Sequence, residues 1–315
     1  MAHWSDVIAP AYVRNVANRY MVDNPLEAFD IFPAVPTTRL TGYLAKYDKS
    51  DWFKVGSVDA YRRSGATESA GDDFATDKQA YTIEEFAFHK DVTEDDRNEY
   101  DNPYDPINDA VDFVMNRLSR VLLTNLIDTY LATGVWANNI DLSDSGYDQW
   151  DATTNGISDA DPVAYVLDWM ELILKTTGYK PNKMIITWDV LKALKTNTKI
   201  MDKMKTTNDK VITTDLLARL FEVDKLTVLS AVNTTATDFM LTKKVFLGYT
   251  PPRPTKFAPS AGYHMTYRNF RRESVQTRKI IMEHLNNAVR IEGKIMTKPL
   301  VVATDLGCFV DNVVG

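Results

Sequence analysis

The chain has 315 residues, 44% hydrophobic and 25% charged, enough to bury one large core or two smaller ones and too apolar for disorder throughout. Its 43 acidic and 36 basic residues give a formal charge of −7, so it lacks the basic excess of a non-specific nucleic-acid binder, and any contact with DNA is expected to be local and weak. The single cysteine, Cys308, excludes an internal disulfide or a cysteine-based metal cluster, fits a reducing cytoplasm, and lies between Leu306 and Phe309 as a packed thiol would.

The opening Met-Ala-His-Trp-Ser-Asp shows no basic stretch followed by an apolar one, and nowhere do about 18 apolar residues run together, so neither secretion nor a membrane span is expected. Over 4–24, Val7, Ile8, Tyr12, Val13, Val16, Tyr20 and Met21 recur at roughly helical spacing, which predicts a short helix inside an N-terminal arm. The arm ends in Phe32-Pro33-Ala34-Val35-Pro36, whose prolines keep it extended and whose hydrophobes read as a strap laid against something else. Alternation over 41–47 and again over 81–90 predicts a long hairpin. The interval between, with Arg62, Arg63, Gly65, Gly71, Asp72 and Asp73, is too long for a turn and too polar for a core, so the hairpin should project.

Over 107–133, Ala110, Val111, Val114, Leu118, Val121, Leu122, Ile127 and Leu131 form a helical stripe that Gly134 stops, a helix on the order of 40 Å at about 1.5 Å per residue. The Asp-, Ser- and Asn-rich piece 138–158 reads as a loop. Asp161-Pro162 then opens a second amphipathic helix over 163–177, with Val163, Val166, Leu167, Met170, Ile173 and Leu174 on its apolar side and Gly178 at its end. Short elements follow: strand 184–187, helices 188–196 and 214–221, and strands 226–229 and 239–247. After the proline-rich stretch 250–259, an edge or a loop, strands return at 262–268, 278–285, 289–297 and 300–304. The chain reads as α+β without internal repeats.

The order of these elements resembles that of tailed-phage major capsid proteins, the Hong Kong ninety-seven shell fold shared with encapsulins. The resemblance is carried by the arm ending in Phe32-Pro33-Ala34-Val35-Pro36, by the long hairpin, and by Thr177-Gly178-Tyr179-Lys180-Pro181-Asn182-Lys183-Met184-Ile185-Ile186-Thr187 with the helix after it. It implies an arm (1–36), an extended hairpin loop (37–90), a peripheral domain with a spine helix (91–179), an axial domain (180–279) and peripheral return strands (280–315). It further implies a virion protein, assembled in the host cytoplasm into pentamers and hexamers around double-stranded DNA. A scaffolding protein would be separate or dispensable, and a portal and a decoration protein are possible partners. An encapsulin-like compartment, or a soluble α+β enzyme, is the competing reading.

No catalytic, cofactor or metal site is expected. The histidines His3, His89, His264 and His284 lack metal spacing, and no phosphate loop or nucleophile elbow occurs. The acidic stretch 141–151 lacks the spacing of a calcium loop and reads as a solvated turn. The expected subunit contacts are Phe32 and Val35 in the strap, Trp52, Phe53, Arg62 and Arg63 in the hairpin, and Arg271 and Arg272 downstream. Trp52 and Phe53 either anchor on a neighbour or fold back on their own domain. The basic run with Arg268, Arg271, Arg272, Arg278 and Lys279 meets the acidic run 91–105 of a neighbour, faces DNA, or is, like that run, simply a solvated face. Lys46, Lys49 and Lys54 lie in the hairpin, but no crosslink is expected from them.

Overall fold

The computed structural model describes residues 32–47, 61–62, 65, 68–69, 71, 76–99, 105–144, 146–154, 157–205, 212–232, 238–253, 259–267, 276–282 and 288–315. The short helix expected within 4–24 lies outside them. In chain order come strands β1 (Ala34–Thr37), β2 (Thr41–Tyr47), β3 (Thr76–Thr82) and β4 (Glu84–Val92), then helices α1 (Glu94–Glu99) and α2 (Pro106–Tyr130). Strands β5 (Asn138–Asp141), β6 (Thr153–Thr154) and β7 (Ile157–Ser158) precede α3 (Pro162–Thr177), β8 (Lys183–Thr187), α4 (Trp188–Thr196), α5 (Thr198–Lys205) and α6 (Thr214–Leu220). The chain continues through β9 (Lys225–Leu229), β10 (Val245–Gly248), β11 (Gly262–Tyr267), β12 (Gln276–Met282), β13 (Ala288–Val301), a 3₁₀ turn at Thr304–Leu306 and β14 (Gly307–Asp311).

Strand β13 is the axis of the first sheet. Antiparallel β4 runs along one of its edges, from Val289 opposite Val92 to Thr297 opposite Glu84. Lys294 also pairs with Gln276 and Thr297 with Thr266, so β12 and β11 lie end to end along the other edge, and β1 adds a parallel strand outside β11. Alternate residues of β13, namely Val289, Ile291 and Ile295, are buried with Ala110, Val111, Val114, Met115, Leu118 and Leu122 of α2. That four-residue spacing gives α2 one apolar face, and its 25 residues span about 37 Å. Asp105 caps it, accepting from the Ile107 amide with Pro106 in the first turn. It ends at Tyr130, one turn before Gly134.

The second sheet has the order β5-β14-β10-β8-β9 and is covered on both faces. Met184, Ile186, Val245, Leu247, Cys308 and Val310 meet the helical layer of α3 to α6. Ile185, Leu229, Phe246 and Phe309 point to the opposite side, where they join Leu126 and Tyr130 of α2 in the seam between the two sheets. Helix α3 matches its sequence signals: the Asp161 carboxylate accepts from the Val163 and Ala164 amides, and Gly178 closes it at φ 74°. Burial pushes the Cys308 thiol up to about 12, as for a packed, inert sulfur.

Several expectations need correction. The hairpin partner of β2 is Thr76–Thr82, in register from Thr41 opposite Thr82 to Tyr47 opposite Thr76, and the alternating 84–92 segment belongs to the first sheet. The 280–315 segment does not stay together, because β13 joins the first sheet whereas β14 inserts between β5 and β10 of the second. Strand β11, expected with 180–279, pairs with β13. The two strands expected at 289–297 and 300–304 are one, running through Pro299. Within 138–158, expected as a loop, β5 joins the second sheet and β6 pairs with β7.

Candidate assembly surfaces

The strap was expected to spend its hydrophobes on a neighbour, and the structure corrects this. Phe32 is fully buried, with ring centroids 4.1 Å from Tyr130, 5.8 Å from Phe246 and 6.4 Å from Trp136. A Cβ on Gly262 would stand 2.7 Å from the Tyr130 ring and 3.2 Å from that of Phe32, so glycine is what lets both rings settle there. Val35 is buried with Leu44, Tyr81, Ile83, Tyr263, Met265 and Val302. The physical reason is that β1 completes the first sheet of its own chain, the Pro33 carbonyl accepting from the His264 amide at 3.0 Å.

The β2–β3 ribbon forms a sheet of its own, seated by one face at its base. Leu44 and Tyr81 enter the cluster around Val35. The Tyr81 hydroxyl lies 3.1 Å from Thr37 Oγ1, its ring covers Gly42, and Gln79 Nε2 donates to the Val301 carbonyl at 2.9 Å. The other face leaves Tyr43 70% exposed. Arg62 is exposed. Trp52, Phe53, Arg63, Arg271 and Arg272 lie outside the described residues, as do Lys49, Lys54 and Arg268. The backbones of Arg278 and Lys279 form part of β12.

Besides Asp105, which caps α2, the acidic run has Asp91 and Asp96 engaged within the chain. Asp91 accepts two hydrogen bonds from Arg290 across the β4–β13 pair, both at 2.7 Å, and these hold its carboxyl below the ordinary carboxylate range. Asp96 and Thr93 form a reciprocal cap at the start of α1, and bonds from Thr93 lower the Asp96 pKa. Lys294 pairs with Glu85 and Lys298 with Glu84, so the β4–β13 pair carries three ion pairs. Because Asp91 titrates lower in the folded chain than in the unfolded one, its stabilisation is complete above the unfolded pKa and is lost as pH falls through the folded one. Asp91→Asn is therefore expected to cost about 1 kcal/mol near neutral pH. Denaturation curves should show that gap closing below about pH 4.

Large apolar side chains also remain outside. Leu167 is 43% and Leu174 45% exposed, although their spacing assigned them to the buried stripe of α3. Trp188 at the start of α4 is 46% exposed, and Phe113 of α2, 43% exposed, lies under Lys90 and Arg117. Sequence reasoning missed these positions because an apolar face wider than the core needs looks the same as one that fits it. Among the described residues no cluster of three or more His, Cys, Asp or Glu side chains is placed to hold a metal, and no helix is long and apolar enough to cross a membrane.

A strap laid into the first sheet, a separate ribbon seated at its base, a long helix backing that sheet and a second sheet under a helical layer define the Hong Kong ninety-seven shell fold of phage capsids. A phage-related protein from Bordetella bronchiseptica superposes with a TM-score of 0.72 at 20% identity, covering 98% of both chains. The capsid of Cyanophage P-SCSP1u gives 0.56 at 10% identity over 88% of this chain and 86% of that one. An encapsulin complex from Synechococcus elongatus gives 0.53 at 12% identity over 93% and 89%. In sequence, 112 residues are 30% identical to the major capsid protein of Burkholderia phage BcepMu, 33% of this chain and 36% of that protein. The chain thus matches about a third of the length of that curated relative. No family model matches the chain.

Proposed function

We propose that this chain is the major capsid protein of a tailed phage, a subunit that builds the head by self-association and performs no chemistry. The observation that carries the reading is the 112-residue match to a capsid protein, since phage and encapsulin shells share the fold at similar TM-scores. In this reading the first sheet with α2 is the peripheral domain and the second sheet with its helices is the axial domain. Pentamers and hexamers place the ribbon on neighbours, where Trp52 and Phe53 anchor, while Arg62, Arg63, Arg271 and Arg272 supply charged contacts.

The geometry suits that work. Among the described residues, the ribbon's Tyr43 face is left exposed while Leu44 and Tyr81 are seated in the core, so that face can be lent to another subunit while the subunit keeps its own core. Portal, scaffolding and decoration proteins are the further partners, and packaged double-stranded DNA is touched without sequence preference, consistent with the net charge of −7. The site of action is the virion, after assembly in the host cytoplasm. Mass spectrometry of particles purified from cells producing the chain should find it as the most abundant protein of DNA-filled heads. Particles filled with a protein cargo and free of nucleic acid would instead make it a compartment shell.

A further inference from the structure

In the helical layer over the second sheet, two outward stripes repeat one spacing with opposite chemistry. On α3, Leu167, Glu171 and Leu174 stand at i, i+4 and i+7 and therefore share a face. All three are exposed, and Asp168 is exposed beside them. On α4, Trp188, Lys192 and Lys195 stand at the same spacing and are likewise exposed. The stripes lie over different ends of the sheet: α3 packs on β14 and the 304–306 turn, and α4 on β8 and β9.

We propose that these stripes are the two halves of one subunit–subunit interface, the α3 stripe of one copy seating on the α4 stripe of the next. The occupant follows from chemistry. An apolar face carrying acidic groups is matched by an aromatic one carrying two lysines, and both belong to this chain. Glu171 is paired with Lys175 at 2.6 Å, a contact with both side chains more than half exposed, so its carboxylate exchanges partners at little cost. Burying Leu167, Leu174 and Trp188 between copies removes apolar surface that an isolated subunit leaves in water. Because the two halves differ and sit apart, the contact is heterologous, and repeating it closes a ring or extends a filament. The inference rests on the proposed shell function and names one of its contacts.

The test uses the full chain and charge reversal at exposed positions, which leaves the core intact. Glu171→Lys with Asp168→Lys on one side, and Lys192→Glu with Lys195→Glu on the other, are each expected to cut the assembled fraction in sedimentation by more than about tenfold, since like charges then face each other. Thermal unfolding of the unassembled subunit should stay at the wild-type value. The chain carrying all four reversals should assemble again. Wild-type particles together with unimpaired reversal variants would overturn the pairing and leave the shell reading standing. Loss on both sides without rescue in the combined variant would also overturn it, assigning the stripes to different partners. A wild-type chain that never assembles would sink the shell reading, and this contact with it.

Discussion

Phe32→Ala is expected to destabilise the isolated subunit by about 3–5 kcal/mol, the cost of deleting a fully buried aromatic side chain. The ring fills the seam where both sheets meet, against Tyr130 of α2 and Phe246 of β10, with Ile185, Leu229 and Phe309 completing the cluster. Its ring partners Tyr130, Trp136 and Phe246 and the close Gly262 come from α2, the segment after it, β10 and β11, so the hole cannot close by moving one of them. Out of a total stability of about 5–15 kcal/mol, such a loss is large. The denaturation midpoint should fall with an unchanged slope, and Phe32→Leu should recover most of the difference. An alanine variant with normal subunit stability and failed assembly would return Phe32 to the inter-subunit role that its sequence context suggested.

Tyr130→Phe is expected to cost about 2–4 kcal/mol, although it removes one oxygen. Tyr263 and Leu300 are cross-strand partners in β11 and β13, yet the Tyr130 hydroxyl stands between them. It donates to the Tyr263 carbonyl and accepts from the Leu300 amide, both at 2.9 Å, and so bridges the two strands next to Pro299. Phenylalanine fits the space but leaves a buried donor and a buried acceptor unsatisfied. Burial also drives the phenol's ionisation far above its ordinary range, so the bridge holds at any working pH. Faster hydrogen exchange at the Leu300 amide should accompany the lost stability. A change under about 0.5 kcal/mol would mean that the two strands pair without the hydroxyl.

What the sequence made legible follows physical signals. Asp161-Pro162 marked a helix start because a carboxylate caps free amides and proline needs none, and α3 begins there; Asp105-Pro106 plays the same part for α2. Alternation found 41–47 but misassigned its partner, because Thr76–Thr82 is nearly all polar and a ribbon facing solvent has little pattern to show. Strand β14 escaped notice for the opposite reason: with both faces covered, Gly307, Cys308, Phe309 and Val310 are all buried and do not alternate. The strap's extended form was evident from its prolines, while its partner was not, since a parallel pairing with far-downstream His264–Tyr267 leaves no local mark. Leu167 and Leu174 show the limit most sharply, because periodicity locates a face and tertiary packing decides how much of it is covered.

Electron microscopy of the full chain, made alone and together with a candidate scaffolding protein, decides whether copies of this chain build a shell. Closed icosahedral particles are expected, in which each subunit keeps Phe32 inside its own seam and lays the β2–β3 ribbon across a neighbour. A uniform population of single subunits under every assembly condition, with that ribbon folded back on its own globule, would contradict the shell reading.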